Sequence, residues 1–211
     1  MIDFYNSLEE LRGKSLKDKP FLFSITVGNR IPKNYFWTSG TGESDITIHA
    51  GSYHLALKEA GIECFNIMSY SSIMPGMAKE IEKPVVYTHG AVLEAITATA
   101  DAKKGERATA GIIVGWLYNK KTDMRYGGLV CEYHGPFSEE EAKSSLGMSL
   151  EELYSNGFEE DYELRDIKVF IRSIIPKKNF GTALVAIGFT DYVFPVNEVS
   201  ENGFIKRESE T

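Results

Sequence analysis

The chain has 211 residues, 43% hydrophobic and 25% charged, a balance that suits one large domain or two small halves sharing a core. Its formal charge of −7 argues against a nucleic-acid or anionic-membrane surface and is compatible with a cationic substrate. No run approaches the ~18 apolar residues of a membrane span, and Met1-Ile2-Asp3-Phe4 has no basic, apolar leader, so a cytoplasmic protein is expected.

Residues 1–20 read as a short helix around Leu8-Glu9-Glu10-Leu11 and a basic linker from Lys14 to Lys19. Phe21 to Val27 reads as a strand ended by Gly28 and Asn29, and Tyr35 to Thr38 as another that runs into Gly40-Thr41-Gly42. A Gly-x-Gly after a strand can cradle phosphate, but a third glycine and a Lys-Ser/Thr are missing, so nucleotide binding is disfavoured. Ser52 stands as N-cap of a helix whose stripe is Tyr53, Ala56, Leu57 and Ala60, stopped by Gly61. Ile62 to Tyr70 reads as a strand that halts at Ser71-Ser72, and Pro75-Gly76 as a turn.

Beyond that turn strands dominate: Val85 to Thr99, Ala108 to Tyr118 and Gly127 to Tyr133 are rich in β-branched and aromatic residues. Alanines make helix an option for 91–100; strand is the reading adopted. Ser138-x-x-Glu141 and Ser149-x-x-Glu152 are two capping boxes, which predict one broken helix or two short ones over 138–156. Leu164 to Ile175 and Thr182 to Thr190 read as long strands, and the tail from Pro195 as polar and loose. Cys64 and Cys131 form no CxxC and read as buried reduced thiols. Composition and order alone lead to an α+β protein, mostly antiparallel.

One stretch carries chemistry. Ser72 Oγ lies one covalent link from the Ser71 carbonyl and could convert that amide into an ester, given a donor for the oxyanion; Asn66, six residues upstream, is a candidate. β-Elimination would then release Ser71 as a new C-terminus, and loss of ammonia would leave a pyruvoyl group at position 72. A Ser-Ser pair before Pro-Gly is also an ordinary strand end with hydrogen-bonding hydroxyls.

Three stretches weigh against the ordinary reading: Pro32 to Ser44, Ala56 to Ile62, and Asn66 to Pro75 with its Asn-x5-Ser-Ile-x-Pro spacing. Together with Gly105-Glu106-Arg107-Ala108-Thr109-Ala110 and Glu132-Tyr133-His134-Gly135, they resemble the pyruvoyl-dependent arginine decarboxylases over roughly residues 31–192. The resemblance implies a four-layer α/β/β/α sandwich of largely antiparallel strands, with a decarboxylase domain over 31–194, an extension over 1–30 and a tail over 195–211. It also implies self-cleavage between 71 and 72, a pyruvoyl cofactor made from Ser72 that forms a Schiff base with L-arginine, and a homotrimer or dimer of trimers. Pyridoxal phosphate and metal are not expected: His49, His89 and His134 have no ligand spacing, and a built-in carbonyl needs no Schiff-base lysine.

Roles follow residue by residue. Glu132 matches the family's proton donor, at the end of an apolar strand where burial would keep a proton available; otherwise it is a strand-end glutamate in water. Asn66 matches the residue that assists self-processing. His54 departs from the pattern, standing where the family carries an aspartate for the guanidinium. Glu43 or Asp45 could supply the missing charge. Two alternatives stay open: the same chemistry on another amino acid, and a non-cleaving relative that serves as a binding or assembly protein.

Overall fold

The computed structural model describes residues 24–85 and 88–200; the expected helix at Leu8–Leu11, its basic linker and the first residues of the strand from Phe21 lie outside them. The chain divides into two units, Ile31–Val193 and the two chain ends. In the smaller unit, β1 (Ser24–Val27) pairs antiparallel with the last strand, Val196–Ser200, placing Ser24 opposite Ser200. The tail is therefore not loose there: Val196 and Val199 favour extended backbone, and β1 offers a partner for it.

The larger unit runs, in order, β2 (Ile31–Pro32), β3 (Asn34–Ser44), a π-helical turn (Ile48–Tyr53), α1 (His54–Ala60), β4 (Asn66–Ser69), β5 (Ile73–Pro75) and β6 (Lys79–Glu80). It continues with β7 (Val92–Lys103), β8 (Ala108–Asn119), β9 (Arg125–Gly135), α2 (Glu139–Gly157), β10 (Tyr162–Ile174), β11 (Phe180–Phe189) and β12 (Tyr192–Val193). The protein is a mixed α+β chain built mostly of strands. Its two main sheets have the orders β4-β7-β11-β3-β6 and β10-β8-β9-β5.

β7 shows why these residues form strands. Leu93 and Ala95 join one buried cluster with Ala56, Leu57 and Ala60 of α1, while Ile96, Ala98 and Ala100 join another. That second cluster draws on both sheets, with Val185 and Ile187 of β11 beside Ile112 and Val114 of β8 and Val130 of β9. Alternation with a period of two thus feeds two cores at once, which alanine content does not reveal. A third cluster sets Leu146 and Leu150 of α2 against Ile113, Leu117 and Leu129.

Three local expectations change. Ser52 is not an N-cap, because the π-helical turn has already wound the backbone; its buried hydroxyl instead shares a 2.8 Å hydrogen bond with Thr182. Gly40 and Gly42 serve packing: a Cβ on either would lie 2.1 Å from the Ala56 or Ser52 carbonyl oxygen, so only glycine lets α1 settle on β3. α2 is one unbroken helix. Its Ser138–Glu141 capping box forms, but Ser149 falls inside a helix whose stripe of Ala142, Leu146 and Leu150 is continuous.

Candidate active site

Strand pairing singles out one place in the larger unit. β4 belongs to the five-stranded sheet, parallel to β7, with Ser69 opposite Ala95. β5 belongs to the four-stranded sheet, antiparallel to β9, with Ile73 opposite Leu129. Between Ser69 and Ile73 the chain therefore leaves one sheet for the other. The last bond on the first sheet is Tyr70 N–H to the Ala95 carbonyl at 2.8 Å; the first on the second is Val130 N–H to the Ser72 carbonyl at 3.2 Å. Ser71 lies between the two anchors, exposed.

At this crossing Ser72 Oγ donates to Glu132, 2.7 Å from Oε1 and 2.9 Å from Oε2. Glu132 sits opposite Ile112 and two residues past Val130, so it shares the sheet face that carries those buried side chains. The Ser71 carbonyl accepts the Ile73 N–H at 2.9 Å, a three-residue turn centred on Ser72. A hydroxyl beside a base, next to a carbonyl already polarised by an N–H, is a nucleophile–electrophile arrangement. Next along β9, burial pushes the Cys131 thiol up from its usual range, and the Glu132 charge pushes it further.

The other expected residues lie elsewhere in the chain. Asn66 opens β4, exposed, and its Nδ2 donates to the Gly90 carbonyl at 2.8 Å. Glu43 accepts the Lys177 N–H and Asp45 the Asn179 N–H, both at 3.2 Å, so both carboxylates hold the connection between β10 and β11. His54 is exposed at the start of α1. Glu43 faces Gly181 on β11, whereas Ala95, opposite Ser69, faces Gly188. Those seven residues of strand are roughly 23 Å, so within one chain the Glu43 end of the sheet is remote from Ser72. Among the described residues no group of three or more His, Cys, Asp or Glu side chains could hold a metal ion.

Sequence reasoning missed three contributors. The Ile73 N–H and Val130 N–H are backbone groups, invisible to side-chain pattern. The third is Glu94 on β7, only 3% exposed, which accepts the Tyr70 hydroxyl at 2.5 Å. A lone carboxylate in the apolar run Val92-Leu93-Glu94-Ala95-Ile96 was the available signal.

Comparison with known proteins shows the family. Residues 34–194 match the sequence model of the family described as pyruvoyl-dependent arginine decarboxylase. The chain is 32% identical over 194 residues to pyruvoyl-dependent arginine decarboxylase AaxB of Chlamydia muridarum, covering 80% of this chain and 95% of that protein. It is 32% identical over 198 residues to AaxB of Chlamydia pneumoniae, with the same coverage. To the pyruvoyl-dependent arginine decarboxylase of Methanocella arvoryzae it is 31% identical over 130 residues, 60% of this chain and 74% of the other.

Proposed function

The chain belongs to the pyruvoyl-dependent arginine decarboxylase family, and on that premise we propose that it cleaves itself between Ser71 and Ser72 and converts L-arginine to agmatine and carbon dioxide. The observation that carries this reading is the Ser72 hydroxyl 2.7 and 2.9 Å from the Glu132 carboxylate, at the crossing between sheets. Ser72 Oγ, oriented by its hydrogen bond to Glu132, attacks the Ser71 carbonyl carbon, and the hydroxyl proton passes to the departing Ser72 nitrogen. The charge growing on the Ser71 oxygen falls on the Ile73 N–H. The Ser71–Ser72 amide breaks as the ester forms. Loss of the Ser72 α-proton and scission of its Cβ–Oγ bond then release Ser71 as a carboxylate. Hydrolysis with loss of ammonia leaves a carbonyl at residue 72.

The residues present fit such a group: the Val130 N–H holds the Ser72 carbonyl, and Glu132 reaches the oxygen that departs. A pyruvoyl carbonyl supplies an electrophile for the substrate amine and a sink for the electrons left when carbon dioxide departs. Glu132, freed of its hydroxyl partner, faces what remains of residue 72 and is placed to return a proton to the substrate's α-carbon. Asn66 has a second N–H on Nδ2 beyond the one given to Gly90, and we assign it an assisting role in processing.

A guanidinium needs an anion, and His54 is not one. We assign that part to Glu43 or Asp45, brought from another copy, since they lie at the far end of their own sheet. A homotrimer or dimer of trimers with the site near a subunit boundary meets this need. The exposed apolar residues Met68, Ile73 and Val92 around the crossing support it. Sedimentation as a monomer at micromolar concentration would contradict it. The three buried clusters support a four-layer α/β/β/α arrangement, and the family match supports a decarboxylase domain over 31–194, with 1–30 and 195–211 outside it. No helix among the described residues is long and apolar enough to cross a membrane, and two free cysteines suit the reducing cytoplasm.

The test is carbon dioxide release from arginine, lysine, ornithine, histidine and aspartate. Arginine is expected to lead. A clear preference for another amino acid would give the substrate role to His54 and leave the self-cleavage untouched.

A further inference from the structure

On each side of the Ser71–Ser72 bond a hydroxyl is held by a carboxylate. Upstream, Tyr70 Oη donates to Glu94 Oε2 at 2.5 Å; downstream, Ser72 Oγ donates to Glu132. Glu94 lies on the five-stranded sheet and Glu132 on the four-stranded one. Glu94 is two residues before Ile96, and Glu132 two after Val130, so both project from the faces that form the cluster shared by the sheets. The Tyr70 ring packs on Phe189 with centroids 5.4 Å apart, and its own N–H reaches the Ala95 carbonyl, next to Glu94. The crossing segment is thus fixed twice at each end, once by backbone and once by side chain.

We propose that Tyr70 and Glu94 are a positioning pair for self-cleavage, holding the upstream end of the scissile peptide so that the Ser71 carbonyl carbon stays within reach of Ser72 Oγ. This rests on the self-processing reading. An intramolecular attack depends on a near-attack arrangement, and a displacement of about 1 Å can cost ~10²-fold in rate. Tyr70 is the last residue on the first sheet, and only Ser71 separates it from the nucleophile. Stability alone gives little reason for the pair, because a buried polar couple can usually be replaced by apolar side chains of similar shape at small cost. A chain crossing freely between sheets would have the same core but a wandering electrophile.

The experiment follows cleavage with time by intact mass after cell-free synthesis of the full chain. Tyr70→Phe keeps the ring and removes the hydroxyl; its cleavage is expected to slow at least tenfold. Glu94→Gln keeps an acceptor for Tyr70 and is expected to stay within a few-fold of wild type. The double variant Tyr70→Phe/Glu94→Leu removes the whole polar couple, so no buried carboxylate is stranded. Its melting temperature, read with Ser72→Ala added to keep the chain whole, is expected near that of Ser72→Ala alone, while its cleavage stays slow. It also serves where Tyr70→Phe alone does not fold. Wild-type cleavage rates in Tyr70→Phe, or restored cleavage in the double variant, would overturn the proposal and leave self-processing standing. A wild-type chain that never cleaves would overturn both.

Discussion

Glu132→Gln replaces one side-chain oxygen by nitrogen and keeps the shape of the group, so it tests the two parts assigned to Glu132 separately. In the precursor Ser72 Oγ reaches both carboxylate oxygens, at 2.7 and 2.9 Å. Glutamine retains one acceptor, which still orients the hydroxyl. What is lost is the charge-assisted part of one bond, about 1 kcal/mol, so cleavage is expected to slow by roughly tenfold at most. An amide cannot hand a proton to carbon. Removing a general acid costs 10²-fold or more, ~2.7 kcal/mol at 1.36 kcal/mol per tenfold, so activity per cleaved chain is expected to fall by at least that factor. Glu132→Leu keeps no acceptor and is expected to lose cleavage as well. The assay pairs intact mass, which gives the cleaved fraction, with carbon dioxide release normalised to that fraction. Activity per cleaved chain within a few-fold of wild type would remove Glu132 from the proton-donating role. A folded Glu132→Gln chain that stays whole would show that the carboxylate charge is indispensable to cleavage.

Other expectations concern titration. Burial alone would raise the Glu59 carboxyl, but hydrogen bonds from Thr41 N–H and its hydroxyl, with the Arg172 guanidinium, hold it below its ordinary value. A lowered folded-state value contributes stability above the unfolded carboxylate range that is lost as pH falls through the lowered value. Glu59→Gln is expected to flatten the acid limb of the melting temperature against pH, and an unchanged limb would contradict this. Cys131 is held protonated first by burial and then by the Glu132 charge. In uncleaved Ser72→Ala protein, adding Glu132→Gln is expected to shift the pH profile of Cys131 alkylation downwards yet keep it above that of an ordinary thiol. No shift would mean the Glu132 charge does not act on the thiol.

The long strands were legible because runs rich in β-branched and aromatic residues are bounded by turn residues, and β8, β10 and β11 lie close to where those runs place them. The Gly40-Thr41-Gly42 motif was legible as glycine but not as contact, since what excludes a side chain there is the backbone of the π-helical turn and α1, at Ser52 and Ala56. The unbroken α2 was obscured by its second Ser-x-x-Glu, which looks like a cap until the continuous apolar stripe is seen packed. Ser71-Ser72 was legible locally as a candidate for cleavage or as an ordinary strand end, and Glu132 entered only through resemblance; a 60-residue separation leaves no periodic trace. Least legible was the change of sheet between β4 and β5, which depends on pairings with β7 and β9 far along the chain. The pairing of Tyr70 with Glu94 was hidden for the same reason, although the lone carboxylate in the apolar run of β7 was a signal for Glu94 itself.

The most direct measurement is the intact mass of the purified protein beside its Ser72→Ala variant. Self-cleavage at the crossing requires two pieces from the wild type, residues 1–71 and 72–211, with the second blocked to Edman degradation by its new carbonyl terminus, and one whole chain from the variant. A wild type found only as the 211-residue chain, or a Ser72→Ala variant that still splits after residue 71, would contradict the account.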